Sequence, residues 1–116
     1  MTDNAEFIET PFIVGIIFLV LGTILYFFPP KKMNHFYGYR TPKSMTNETT
    51  WAFAQKYSSV KMIQGGLFLL FVYVISFISN FPASTDEIIG LITLLGVVIF
   101  MIFSTEKAIK TKFPNL

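Results

Sequence analysis

One short stretch of the chain, NHFYGYRTPKSMTNETTW at residues 34–51, concentrates the side chains best suited to chemistry. The guanidinium of Arg40 is a planar fork of donors that suits a carboxylate or a phosphate. Tyrosine and tryptophan add broad contact faces that also carry a polar atom. This combination is typical of a site that holds a lipid headgroup, a peptide or a protein partner. The candidate site residues are Asn34, Tyr37, Gly38, Tyr39, Arg40, Thr41, Pro42, Glu48 and Trp51.

The same stretch also allows an interpretation in which it binds nothing. Arg40 would pair with Glu48 and stack on Trp51, and the set would then organise the loop itself. An amphipathic segment rich in Trp, Tyr and Lys also commonly lies in the headgroup region of a membrane without any further role. The sequence alone leaves the binding and the internal interpretations open.

Catalytic and metal sites find no support in these residues. His35 is the single histidine and no cluster of carboxylates accompanies it, so we expect no metal site. The chain has no Cys, which removes disulfides, thiolate ligands and thiol nucleophiles. A formal net charge of +2 is too small for a nucleic-acid binder. We therefore expect neither an enzyme nor a cofactor, and no nucleic-acid partner.

The elements that must position this stretch are strongly apolar. Of the 116 residues, which suffice for one domain, 53% are hydrophobic. A soluble domain of this size buries only about two-thirds of its unfolded surface, so a bilayer is the better solvent. A membrane helix needs about 20 mostly apolar residues. Three segments meet this requirement and predict an all-α integral membrane protein with transmembrane helices at 7–28, 62–81 and 88–105.

Residues 29–59 form the predicted loop between the first two spans. The prolines at Pro29–Pro30 end the first span, and Gly38 permits a sharp turn with a positive φ. Asn47 is an N-cap signal, so a short amphipathic helix is predicted at 48–57. At about 30 residues the loop exceeds the usual 2–8 of a helical hairpin. Its aromatic content is too high for a disordered linker, so we expect an ordered loop.

The distribution of basic residues predicts an orientation, because cytoplasmic loops collect Lys and Arg. Bases are absent before the first span and between the second and third spans. All nine follow the first or the third span: Lys31, Lys32, Arg40, Lys43, Lys56, Lys61, Lys107, Lys110 and Lys112. The alternation predicts a multi-pass protein with its N-terminus outside and its middle loop and C-terminus in the cytoplasm.

The pattern N-x-x-Y-G-Y-R-T-P, followed by Trp51 and A-F-A-Q, resembles the signature of the SdpI/YfhL family of membrane immunity proteins. In that family the motif joins the first and second helices of a three-helix membrane module. The resemblance therefore implies that residues 1–116 form a single module of this kind. The matching positions are Asn34, Tyr37, Gly38, Arg40, Thr41, Pro42 and Trp51.

The resemblance implies a protein of the bacterial cell membrane that protects against a secreted toxic peptide by binding the toxin or its membrane target. The implied partners are membrane lipids, the toxic peptide and a cytoplasmic protein. A larger relative carries an additional N-terminal membrane module and holds a transcriptional repressor at the membrane. This chain resembles the short, single-module kind, for which the resemblance implies protection and leaves a signalling role open.

A second function stays open at this point. The chain would then be a lipid- or protein-binding membrane scaffold, or an accessory subunit of a transporter, with no toxin involved. The sequence sets neither the oligomeric state nor the identity of the ligand.

Overall fold

The architecture is all-helical over the residues that the computed structural model describes, namely the backbone of 2–115 and the side chains of 11–82, 84–85 and 87–115. Three helices follow one another along the chain and each packs against the other two. Their bounds are α1 Thr2–Phe27, α2 Glu48–Ser79 and α3 Ala83–Lys112.

Apolar side chains cover the outside of the bundle, and polar side chains fill much of its interior. Phe77, Ile92 and Leu95 are 68%, 64% and 62% exposed. Water would oppose this arrangement by about 25 cal/mol for each Å² of exposed apolar surface, whereas lipid tails would not. Polar side chains that are almost or completely buried are Ser44, Thr50, Gln55, Ser58, Ser59 and Thr105.

Two helical stretches are long and apolar enough to cross a membrane, Glu48–Ser79 and Glu87–Lys112. Pro11–Phe27 is apolar but shorter, so a crossing at the expected first span, 7–28, stays a prediction. Part of that span lies outside the residues whose side chains are described. The same holds for the acidic residues on which part of the orientation depends, Asp3, Glu6, Glu9 and Asp86.

The segment between α1 and α2 differs from the expected loop. Glu48 begins a helix that continues without a break to Ser79. The expected short amphipathic helix and the expected second span, 62–81, are therefore parts of one helix, and the connecting segment is residues 28–47. We call residues 28–47 the linker. The change from polar to apolar residues within α2 alters the solvent that each part favours, but it does not interrupt the backbone hydrogen bonds.

The start of α2 follows the chemistry expected of its N-cap. The Asn47 side chain accepts a hydrogen bond from the Thr50 backbone N–H at 2.9 Å, and the Thr50 hydroxyl oxygen accepts one from the Asn47 N–H at 3.0 Å. Glu48 lies in the first turn, where its negative charge favours the positive end of the helix. These contacts fix where the linker ends.

The packing of α1 on α2 depends on glycine. A Cβ atom at Gly66 would lie 2.8 Å from the Gly15 carbonyl oxygen, so the two backbones are in direct contact. Further along, a Cβ at Gly22 would lie 3.1 Å from the Ser59 carbonyl oxygen. Positions that rise along α1 thus meet positions that fall along α2, which makes the pair antiparallel. Small residues allow this close approach between helices in lipid.

The turn between α2 and α3 is shorter than the expected Asn80–Asp86 segment. Asn80 has φ 59° and ψ 44°, the left-handed conformation that commonly ends a helix. Its backbone N–H donates to the Ser76 carbonyl oxygen at 3.3 Å. Pro82 then precedes α3, which includes the whole expected third span, 88–105. The tight turn folds α3 back along α2.

Candidate functional site

The linker begins with a turn organised by Asn34. The side-chain oxygen of Asn34 accepts hydrogen bonds from the backbone N–H groups of Phe36 at 2.9 Å and Tyr37 at 2.7 Å. The Tyr37 hydroxyl donates to the carbonyl oxygen of Phe28 at 2.7 Å. Helix ends leave carbonyl groups without helical partners, and Tyr37 supplies one such partner just beyond α1. Asn34 and Tyr37 thus position the chain as it leaves this helix.

Trp51 fastens the start of α2 to the same end of α1. Its indole N–H donates to the Pro30 carbonyl oxygen at 2.7 Å, and the side chain is fully buried. Proline offers no N–H but keeps its carbonyl, so Pro30 both ends α1 and accepts this bond. The signature tryptophan is therefore a structural anchor.

Gln55 holds the backbone of the GYR segment. Its side-chain oxygen accepts the Tyr39 backbone N–H at 2.7 Å, and its amide nitrogen donates to the Tyr39 carbonyl oxygen at 2.9 Å. Gln55 is fully buried, so both bonds form away from solvent. Gly38 has φ 108°, as expected of a glycine turn, and a Cβ there would lie 2.5 Å from the Gln55 side-chain oxygen. Gly38 is required both by its backbone conformation and by this close approach.

Ser44 closes the next turn of the linker. Its hydroxyl accepts the Thr41 backbone N–H at 2.8 Å and lies 2.9 Å from the Thr41 carbonyl oxygen. The buried Thr50 hydroxyl donates to the Ser44 carbonyl oxygen at 3.2 Å, and this bond ties the turn to α2. Pro42 lies in the same turn, where its carbonyl oxygen accepts the Thr46 hydroxyl at 3.1 Å. The TPKS segment is therefore a compact, hydrogen-bonded unit.

Glu106 of α3 fixes the linker from the other side. A single carboxylate oxygen accepts the Tyr39 hydroxyl at 2.7 Å and the Thr41 hydroxyl at 2.8 Å. Burial raises the pKa of Tyr39 well above its usual range, and the adjacent Glu106 carboxylate raises it further. The phenol therefore stays neutral and keeps donating at physiological pH. Glu106 connects the third helix directly to the motif.

Arg40 is exposed, and its side chain differs from the hydrogen-bonded side chains just described because it has no polar partner among the described residues. The interpretation in which Arg40 pairs with Glu48 and stacks on Trp51 is wrong for the described residues, since Arg40 has no hydrogen bond, ion pair or cation–π contact among them. Glu48 is exposed at the start of α2, and Trp51 is bonded to Pro30. The guanidinium is thus presented on a fixed backbone, with all five donors available.

A cleft of about 450 Å³ opens beside Arg40. All three helices supply apolar wall residues, and the linker and α2 supply a polar rim. Such a shape suits an amphipathic group, with an apolar part against the helices and an anionic part at the guanidinium. The apolar wall consists of Leu21, Leu25, Met62, Met101 and Ile102, and the rim of Tyr37, Gly38, Tyr39, Arg40, Thr41 and Ser58.

The structure divides the nine candidate residues. Four lie on the rim of the cleft with Arg40, whereas Asn34, Pro42, Glu48 and Trp51 do not line it. Sequence reasoning missed Gln55, Ser44 and Glu106 as parts of the site. Gln55 lies four residues after Trp51 on one face of a helix, which was a usable signal. Glu106 follows an apolar span as an isolated carboxylate, and no local pattern connects it to Tyr39.

The fold and the site together define an all-helical protein with membrane-length helices and a polar linker fastened over one end of the bundle. The chain belongs to the SdpI/YfhL protein family, whose profile matches residues 31–105. YfhL, an uncharacterized protein of Bacillus subtilis (strain 168), is 34% identical over 101 residues, which cover 87% of this chain and 86% of the relative. No solved structure is significantly similar to the chain.

Proposed function

We propose that this protein is a membrane immunity protein that protects against a secreted toxic peptide by binding the toxin or its membrane target. The proposal joins two supports: membership of the SdpI/YfhL family, and helices long and apolar enough to cross a membrane. Under the proposal, the whole chain is one non-catalytic module in the bacterial cell membrane. It crosses the membrane several times, with the N-terminus outside and the C-terminus in the cytoplasm.

The observation that carries the proposed binding role is the exposure of Arg40 beside a cleft. Its neighbours in the motif use their polar groups on one another, on Gln55 and on Glu106, whereas the guanidinium has no internal partner among the described residues. The ordered backbone of the linker places the guanidinium beside the cleft without further ordering of the main chain on binding, and the guanidinium matches a carboxylate or a phosphate. A peptide carboxylate and a phosphate of a membrane target both meet this requirement.

The linker lies on the cytoplasmic side in the proposed orientation. The protein therefore meets its ligand at the inner leaflet, after the peptide has entered the membrane. A cytoplasmic protein partner would reach the same surface. Exposure of the C-terminus is measurable with a fused reporter enzyme, and activity of that reporter only outside the cell would overturn the orientation.

Survival of a toxin-sensitive strain tests the proposed function. Cells that express the chain are expected to survive a cognate secreted peptide better than cells that carry the empty vector. Arg40→Ala at equal membrane abundance is expected to remove that advantage, and Lys43→Ala provides a matched loss of one charge in the same linker. No gain in survival with any cognate peptide would overturn the immunity role.

A scaffold without a toxin role is the second candidate, and the internal bonding of the motif favours it. In that case the linker only fastens the helices together, and activity follows stability. Trp51→Ala would then lower the melting temperature and the activity together, and Arg40→Ala would lower neither. Loss of protection in Arg40→Ala at an unchanged melting temperature excludes this candidate.

A further inference from the structure

A second groove follows the contact between α2 and α3 and shares no lining residue with the cleft beside Arg40. It consists of two cavities, of about 640 Å³ and about 570 Å³. Phe100 lines both of them, so the two cavities are adjacent along this groove. The first cavity lies toward the C-terminal end of α3, and the second lies toward the middle of the bundle.

The first cavity is basic. Lys107 and Lys112 line it, and the Lys61 ammonium lies 5.3 Å from the centre of the Tyr57 ring and 5.4 Å from that of the Phe100 ring. Two lysines therefore line this cavity, and a third lies beside two of its aromatic wall residues. No carboxylate lines either cavity in the described part of the chain, and the nearby Glu106 is engaged with the linker. This end of the groove attracts an anion.

The second cavity is an apolar trough. Phe68 and Ile92 form part of its wall, and a Cβ atom added at Gly96 would meet nothing within 4 Å. The nine residues from Ile92 to Phe100 extend about 12 Å, because eight steps separate them at the helical rise of ~1.5 Å per residue. This length is close to one leaflet, about half of the ~30 Å hydrocarbon core. The trough therefore fits the upper part of an acyl chain.

We propose that this groove binds one anionic phospholipid of the inner leaflet. The phosphate lies among Lys61, Lys107 and Lys112, and an acyl chain lies along Gly96. The inference rests on the membrane placement proposed above, which puts the basic end at the cytoplasmic surface. The negative surface potential of that leaflet attracts nearby Lys and Arg side chains.

A second copy of the chain fits the groove less well than a lipid does. In a two-fold dimer within a membrane, the same surface of each protomer meets its equivalent at the same depth. The three lysines of one protomer would then face the three lysines of the other, and like charges repel. An anionic headgroup neutralises the same cluster.

Lipid retention in native mass spectrometry tests the proposal. The probe is the protein extracted from vesicles with equal amounts of phosphatidylglycerol and phosphatidylcholine. The unaltered protein is expected to retain one phosphatidylglycerol in preference to phosphatidylcholine. The double variant Lys107→Gln and Lys112→Gln is expected to lose that preference about tenfold. Gly96→Leu places an apolar side chain in the trough, where its Cβ meets nothing within 4 Å, and is expected to lower retention of both lipids.

The matched control removes the same charge elsewhere. Lys31→Gln with Lys32→Gln alters two linker lysines that do not line the groove, and its lipid preference is expected to be unchanged. An equal loss in this control, or no loss in the groove variants, overturns the proposal. A dimer that Gly96→Leu dissociates would show that a second copy fills the groove. The lipid assay needs no toxin, so it is independent of the survival test. If the protein retains phosphatidylglycerol but gives no gain in survival, the immunity role is overturned and the lipid site stands.

Discussion

The linker has an inner face, which contacts Trp51 and Gln55 of α2, and an outer edge, which carries Arg40. The two differ in how they use their polar groups. On the inner face, Trp51 bonds to Pro30, and Gln55 holds both backbone groups of Tyr39. At the outer edge, Arg40 is exposed beside a cleft with no internal partner in the described chain. The difference shows that most residues of a contiguous motif can serve to hold the fold together. Under the proposed function, Arg40 is the side chain of the motif that contacts a ligand.

The two faces also differ in what a substitution removes. A buried polar group that loses its partner costs about 1–3 kcal/mol, because it cannot turn to water instead. An exposed side chain without contacts leaves the folded state almost unchanged. Stability and activity should therefore separate along the motif. Substitutions on the inner face are expected to lower both stability and activity, whereas substitution of Arg40 is expected to lower activity alone.

Trp51→Ala should have the largest effect on stability. It empties a fully buried site and removes the indole bond to Pro30. We expect the free energy of unfolding in mild detergent to fall by about 3–5 kcal/mol. Trp51→Phe keeps most of the apolar volume but loses the indole hydrogen bond, so its free energy of unfolding is expected to fall by about 1–3 kcal/mol. Phe36→Ala, at a residue 94% exposed, is the control and should change little. Equal effects for Trp51→Ala and Phe36→Ala would contradict the anchoring role.

Glu106→Ala should have the next largest effect. It removes the acceptor that Tyr39 and Thr41 share. Loss of a hydrogen bond to a charged group corresponds to about 1.5–3 kcal/mol of unfolding free energy. Glu106→Gln keeps an oxygen acceptor and should lie closer to the unaltered protein. Glu87→Ala removes an exposed carboxylate near the other end of α3 and serves as the control. A Glu106→Ala variant as stable as Glu87→Ala would show that α3 does not hold the linker.

The pKa of Tyr39 predicts a smaller effect, confined to alkaline pH. Because the pKa is raised in the folded state, the contribution of this phenol is fully present below its unfolded pKa of about 10. The contribution is lost as the pH rises from there toward the folded pKa. We expect the unfolding free energy of the unaltered protein to fall more steeply above pH 10 than that of Tyr39→Phe. Parallel curves for the two proteins would contradict the buried contact with Glu106.

Local chemistry predicted several parts of the fold. The prolines after α1, the positive φ of Gly38 and the N-cap at Asn47 each depend on residues close in the chain, and the structure confirms all three. The continuity of α2 was not predicted. The first turns of α2 are polar and therefore resemble a separate surface helix. Composition indicates whether a segment favours water or lipid, but it carries little information on where a helix ends.

The connections within the site were harder to predict, because they join residues distant in sequence. Gln55 bonds to Tyr39 across 16 positions, and Glu106 bonds to Tyr39 across 67. Both depend on how α2 and α3 pack around the linker, and no short pattern encodes that packing. The sequence therefore indicated the linker as the candidate site and missed these distant partners, and it left open whether Arg40 was bound internally.

A paired measurement on Arg40→Ala tests the central claim most directly. The claim is that the motif holds its own structure in place and leaves this guanidinium for a ligand. Unfolding free energy and survival against a cognate toxic peptide are measured on the same variant at equal membrane abundance. We expect stability within about 0.5 kcal/mol of the unaltered protein and loss of protection. Full protection in Arg40→Ala, or a loss of stability as large as that of Trp51→Ala, would contradict the account.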